Sequence, residues 1–170
     1  MAHPRAPRIG RDPSKFRRIA VPIAITMLGS LMALLPFIAV APLMPPLGLL
    51  FFLSWRALHR HIWPVWIGLP LGFWDDIFSG AVMGSAMLMW TLILIGYEII
   101  DRRMIWRDFS HEWALSSVVI VISLLTGLLI ATATGGSFLP HLLVPQALIS
   151  ILAFPLITRL CGFFDAWRLR

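Results

Sequence analysis

Residues 113–133 read WALSSVVIVISLLTGLLIATA, twenty-one positions without one charged side chain. As a helix this stretch rises about 30 Å, the thickness of the hydrocarbon core of a bilayer. Working outward, five more apolar segments occupy residues 19–38, 42–58, 62–78, 84–100 and 139–160. Each comes near the roughly 17–25 residues a membrane-spanning helix needs, with 42–58 and 62–78 the shortest. Of the 170 residues 59% are hydrophobic and 13% charged, and the mean hydropathy is +0.86. A single soluble core of this size cannot hide so much apolar surface. The expected fold is therefore an all-α integral membrane protein, a six-transmembrane-helix bundle. It divides into a basic tail (1–18), the bundle (19–160) and a short C-terminal tail (161–170). No segment is long or polar enough for a second, soluble domain.

The basic residues set the expected topology. Arg5, Arg8, Arg11, Lys15, Arg17 and Arg18 precede the first segment, and Arg56 and Arg60 fall between the second and third. Arg102, Arg103 and Arg107 follow the fourth, and Arg159, Arg168 and Arg170 close the chain; together these are all 14 Lys and Arg. The connections at 39–41, 79–83 and 134–140 contain none. By the positive-inside rule both termini and the two basic loops lie in the cytoplasm, N-in and C-in. Trp55, Trp63, Trp66, Trp106, Trp113 and Trp167 cluster near the same ends, as an interfacial aromatic belt does. The net charge of +6 is thus assigned to loop retention and lipid headgroups, and nucleic acid is excluded as a partner. Ala39-Val40-Ala41 resembles a signal-peptidase site. The apolar run before it is longer than a signal core and Pro42 follows directly, so the segment reads as a retained first helix.

The third segment carries the most information. Residues 62–80 read IWPVWIGLPLGFWDDIFSG. Pro64 suits a first turn, and Pro70 predicts a kink or local break. Gly68, Gly72, Asp76 and Gly80 recur every fourth residue and share one ridge of a helix, where small residues let another helix approach closely. Asp76 is thereby the candidate helix-packing or partner contact, and Asp75, about 100° around the helix, the secondary candidate. Both acids fall about 20 Å from the cytoplasmic end, in the outer third of the bilayer. A carboxylate there must be paired, hydrated or protonated.

Little else points to chemistry. Glu98 and Arg102 form an i,i+4 pair, and Asp101 and Asp108 belong to the same basic loop. His111-Glu112 lacks the second histidine of a zinc-protease motif, and His59 and His61 lack a third ligand, so no metal site is expected. His141 reads as interfacial. Ser116, Ser117, Ser123, Thr126, Gln146 and Ser150 read as helix-to-helix polar contacts. Cys161, the only cysteine, reads as packing. No nucleophile, base and orienting group assemble, no phosphate-binding loop is present, and the expectation is a non-enzyme without catalytic residues, metal or cofactor.

Two stretches resemble the rod-shape-determining protein MreD family. Residues 45–58, PPLGLLFFLSWRAL, resemble its proline-led second helix, and residues 72–84, GFWDDIFSGAVMG, its Gly-x-x-x-Asp third helix and glycine-containing turn. The family aspartate falls on Asp76, and Gly84 on the last glycine. Pro46-Leu47 stands where the family has Pro-Asp, and Val82-Met83 replaces the proline before the last glycine. The resemblance implies a multi-pass protein of the bacterial inner membrane that supports cell elongation and lateral-wall peptidoglycan synthesis. Its implied partners are an MreC-like protein and, indirectly, the MreB filament, RodA and a class B penicillin-binding transpeptidase. It also implies a fold like the substrate-binding subunits of energy-coupling-factor transporters. The alternative reading is a small-molecule, vitamin-like binding subunit of a membrane transporter.

Overall fold

The computed structural model describes residues 15–34, 44–80, 82–103, 108–135 and 143–168. The Ala39-Val40-Ala41 sequence, Trp106 and His141 lie outside the described residues. Among them are six α-helices and no strand: α1 (Lys15–Leu31), α2 (Leu47–Leu58), α3 (Gly68–Ser79), α4 (Ser85–Arg103), α5 (Phe109–Ala133) and α6 (Leu143–Arg168). Short 3-10 turns follow α1 and precede α3. Among the described residues two helices are long and apolar enough to cross a membrane, within Phe109–Ala133 (mean hydropathy 2.5) and Leu143–Trp167 (2.0). Only 11% and 22% of those stretches are buried inside the protein.

The core is built around α2. Its 12 residues rise about 18 Å, short of a bilayer core. Gly48, Leu49, Leu50 and everything from Phe52 to Arg56 are buried. A helix that is apolar on all sides is stable only when surrounded. Here α2 packs against α1 on one flank and α6 on another. It ends at His59, whose backbone turns extended. Trp55 is fully buried and Trp63 is 5% exposed, so neither belongs to an interfacial belt. Trp63 stacks on Phe52 and donates its indole N–H to the Phe52 carbonyl at 3.2 Å, a bond that satisfies its one polar atom away from water. Trp66, Trp113 and Trp167 are exposed, as a belt requires.

Helix α3 is also only 12 residues long. The kink or break expected at Pro70 does not interrupt α3: a 3-10 turn, Val65–Ile67, capped by extended Pro64, leads directly into it. Pro70 consequently lies in the first turn of α3, where a missing N–H leaves no helical bond unmade. At the other end of the chain α6 runs past Leu160 to Arg168. The boundary set from apolarity alone was too early, because Cys161 is fully buried and Asp165 nearly so.

Charged side chains at this end tie helices together across the bundle. Arg56 of α2 pairs with Asp101 of α4, and both are largely buried, at 6% and 11% side-chain exposure. The guanidinium lies 5.3 Å from the ring centre of Tyr97, in cation–π range. The Tyr97 hydroxyl meets Ser116 Oγ of α5 at 3.0 Å. His59 contacts Asp165 of α6 at 3.0 Å. Asp101 is therefore an interhelical partner, whereas Glu98 and Arg102 make the local i,i+4 pair at 2.8 Å.

Removing one member of a buried pair strands the other charge, typically at a cost of about 3–5 kcal/mol, whereas replacing both by apolar groups is often neutral. Arg56→Met should therefore lower the thermal midpoint of the detergent-purified protein by an amount on that scale. Adding Asp101→Leu should restore at least half of the loss. Equal midpoints for the single and double variants would show that the two side chains are not coupled.

Candidate functional site

Helices α3 and α4 form a tight hairpin, and Asp76 holds its two arms together. A helix begins with backbone N–H groups that have no partner within the helix. A serine, threonine, aspartate or asparagine at the preceding position usually accepts from them. Here that position is Gly84, whose φ of +96° lies in the glycine-favouring region and which has no side chain to offer. Asp76 supplies the acceptor from the neighbouring helix. Its Oδ1 accepts from Ala86 N at 2.9 Å and Ser85 Oγ at 3.0 Å. Its Oδ2 accepts from Gly84 N at 2.9 Å and Met87 N at 3.2 Å. The carboxylate is 3% exposed, and its charge sits at the positive end of the α4 dipole.

Two glycines let α3 come close enough. A Cβ on Gly72 would stand 2.6 Å from the Ala86 carbonyl oxygen and from Met87 Cα, and one on Gly68 2.8 Å from Thr91 N. These are backbone atoms and cannot swing aside. Gly68, Gly72 and Asp76 thus share the α3 face against α4. Gly80 does not pack: α3 ends at Ser79, and Gly80 (φ +67°) takes the left-handed cap position with open space where a Cβ would go. Gly84 has equally open surroundings. Both serve the turn, not the ridge.

Asp75 turns toward other neighbours. Ser30 Oγ of α1 donates to its Oδ1 at 2.6 Å. A Cβ on Gly48 of α2 would collide with both, at 2.3 Å from Ser30 Oγ and 2.7 Å from Asp75 Oδ1. Trp74 Nε1 donates to the Met27 carbonyl at 3.3 Å, a second tie from α3 to α1. Asp75 also borders a cavity of about 220 Å³ with Ser79, Ser85, Trp90, Ser123 and Thr126. Ser30 and Gly48 carried no signal of their own in the sequence, because their meeting depends on how α1 and α2 dock.

The polar residues of α5 and α6 divide by neighbour. Ser116 reaches α4, and Gln146 Nε2 donates to the Met44 carbonyl at 2.9 Å. Ser117, Thr126 and Ser150 instead bond the carbonyl four residues back on their own helices, a local route that satisfies a hydroxyl without a partner helix. Among the described residues no three His, Cys, Asp or Glu side chains are placed to hold a metal ion.

Asp76→Leu removes the acceptors of the Gly84, Ala86 and Met87 amides, leaving only Ser85 N bonded in that first turn of α4, to the Val82 carbonyl. The expected loss is about 3 kcal/mol or more, with Asp76→Asn intermediate because one oxygen remains. Hydrogen exchange at Ala86 and Met87 checks it, and unchanged protection in Asp76→Leu would contradict the arrangement. Gly72→Ala should cost about 1–3 kcal/mol in thermal unfolding. Gly96→Ala, on the open side of α4, should be neutral or stabilising by up to about 1 kcal/mol.

Comparison of the chain with protein-family models, with curated proteins and with solved structures finds no match.

Proposed function

We propose that this protein is a six-span, multi-pass scaffold of the bacterial inner membrane that supports cell elongation by binding partners, in the manner of the MreD family. One observation carries the reading. Gly72, Asp76 and Gly84, which bear the resemblance, form a purely architectural motif in which all the acceptor capacity used by Asp76 goes to α4. With both oxygens engaged and the residue 3% exposed, Asp76 is built into the hairpin and presents little surface to a ligand. What remains for partners is the outer surface, where α5 and α6 expose Val118, Leu129, Leu152 and Leu156 at more than half of their area. In water such faces would be a large aggregation-prone patch; in a bilayer they suit lipid and other transmembrane helices. The partners on this reading are an MreC-like protein and, through it, MreB, RodA and a class B transpeptidase.

The membrane reading also accounts for the short helices. Helices α2 and α3 are each surrounded by longer ones or lined by ordered polar contacts, so neither has to span alone. The cavity beside Asp75 favours a second reading, the binding subunit of a transporter. At about 220 Å³ it is smaller than the roughly 300–1,000 Å³ common for ligand pockets, which places this reading second.

Reporter fusions after Thr134 should score periplasmic and fusions after Arg103 cytoplasmic; the reverse at either point contradicts six spans with both ends inside. Depletion in the native host should turn rods into rounded cells, and tagged protein should co-purify an MreC-like partner from native membranes. Rods that persist through depletion contradict the scaffold. Normal shape with growth rescued by one vitamin-like nutrient favours the transporter.

A further inference from the structure

A cavity of about 750 Å³ opens where the start of α1, the α2–α3 connection and the end of α4 meet. Its lining includes the apolar side chains of Ile19, Ile62, Trp63 and Leu94. Trp63 is held there by its stacking on Phe52 and its bond to the Phe52 carbonyl. The lining also includes Arg56, Arg60, Arg102, Glu98, Asp101 and His61. Three guanidinium groups against two carboxylates leave one positive charge uncompensated before His61 is counted. The pairing pattern identifies where it sits. Asp101 is engaged by Arg56 and Glu98 by Arg102, whereas no acidic side chain among the described residues pairs with Arg60. Arg56 Nη1 is buried and meets no acceptor among the described residues. Within the lining of this cavity, one arginine donor thus lacks an acceptor and positive charge is in excess.

An occupant that matches both the apolar and the cationic part of this lining is an amphiphile with an anionic head. Guanidinium groups match phosphate in charge and in fork geometry, and the volume is that of a ligand site. The positive-inside topology puts the opening in the cytoplasmic leaflet, where anionic lipids concentrate. We propose that this cavity binds the phosphate headgroup of an anionic phospholipid. Arg60 and Arg102 contact the phosphate, and the glycerol and upper acyl carbons lie against Ile62 and Trp63. The site rests on the membrane reading above and not on the identity of any protein partner.

Native mass spectrometry of the delipidated full-length protein in detergent tests it, with dioleoylphosphatidylglycerol as the probe and dioleoylphosphatidylcholine as the zwitterionic control. One phosphatidylglycerol per chain should be retained in preference to phosphatidylcholine. Arg60→Gln with Arg102→Gln should weaken retention about thirty-fold, and Arg60→Gln alone about five-fold. Arg60→Lys with Arg102→Lys should keep most of it, and Arg159→Gln, an exposed arginine outside the cavity, should change nothing. Matching elution volumes identify folded variants; if the double variant fails that check, Arg60→Gln alone decides. Equal retention of both lipids, undiminished retention in the Gln variants, or equal loss in Arg159→Gln overturns the site. Displacement of phosphatidylglycerol by an equal concentration of inorganic phosphate assigns the cavity to a soluble phosphate and overturns the lipid. Carbonate extraction of native membranes tests the membrane reading separately: a protein that washes off refutes that reading, while one that stays but fails the lipid test refutes the site alone.

Discussion

The first turn of α4 presents backbone N–H groups that must find acceptors in a setting with little water. Asp76 answers that demand from the adjacent helix, and much of the architecture follows. The carboxylate reaches Ala86 and Met87 only because α3 lies nearly in contact with the α4 backbone. That approach requires glycine at Gly72 and Gly68. The close approach in turn requires a tight return of the chain, for which Gly80 and Gly84 adopt positive φ. An ordinary N-cap side chain would satisfy the amides locally and leave the helices free to separate. Placing the acceptor on α3 converts a capping requirement into a tertiary lock.

At the opposite end of the bundle the ties are between opposite charges. Arg56, Asp101, Tyr97 and Ser116 form a chain of contacts through α2, α4 and α5, and His59 joins Asp165 of α6. Such contacts are directional. They fix how the helices are rotated and how far they slide past each other, which apolar packing alone specifies weakly. Contacts between α4 and α5 are sparse elsewhere, so the Tyr97–Ser116 bond is a principal link between the α3–α4 hairpin and the α5–α6 pair.

Much of this was legible in the residue pattern, and what was not has a common cause. Each of the six apolar segments overlaps one α-helix among the described residues. The four-residue spacing of Gly68, Gly72 and Asp76 placed them on one face, since spacing along a helix is local information. The same rule failed at Gly80, because periodicity does not announce that the helix has ended. The burial of Trp55 and Trp63, the Arg56–Asp101 pair and the Asp75–Ser30 bond all depend on which helices become neighbours. The helix phase separated Asp76 from Asp75, and the two serve different interfaces, with α4 and with α1, but which helix each would meet was not in the spacing. Side chains near the end of an apolar run read as interfacial until it is known that α2 lies at the centre.

On the proposed six-span reading, the saturation of Asp76 by α4 also bears on how the chain would enter a membrane. Helix α3 by itself is short, contains Pro70, and carries two carboxylates with few donors of its own. Charged residues within an apolar span raise the free energy of insertion by about 2.5–3.5 kcal/mol each near the centre, less toward the ends. A translocon sampling α3 alone would therefore meet a poor substrate. Once α4 has formed, its amides meet the demand of Asp76. On the proposed membrane reading the hairpin, not the single helix, would be the unit that partitions into lipid, and synthesis would have to proceed beyond Met87 before the third segment had a stable place in the bilayer.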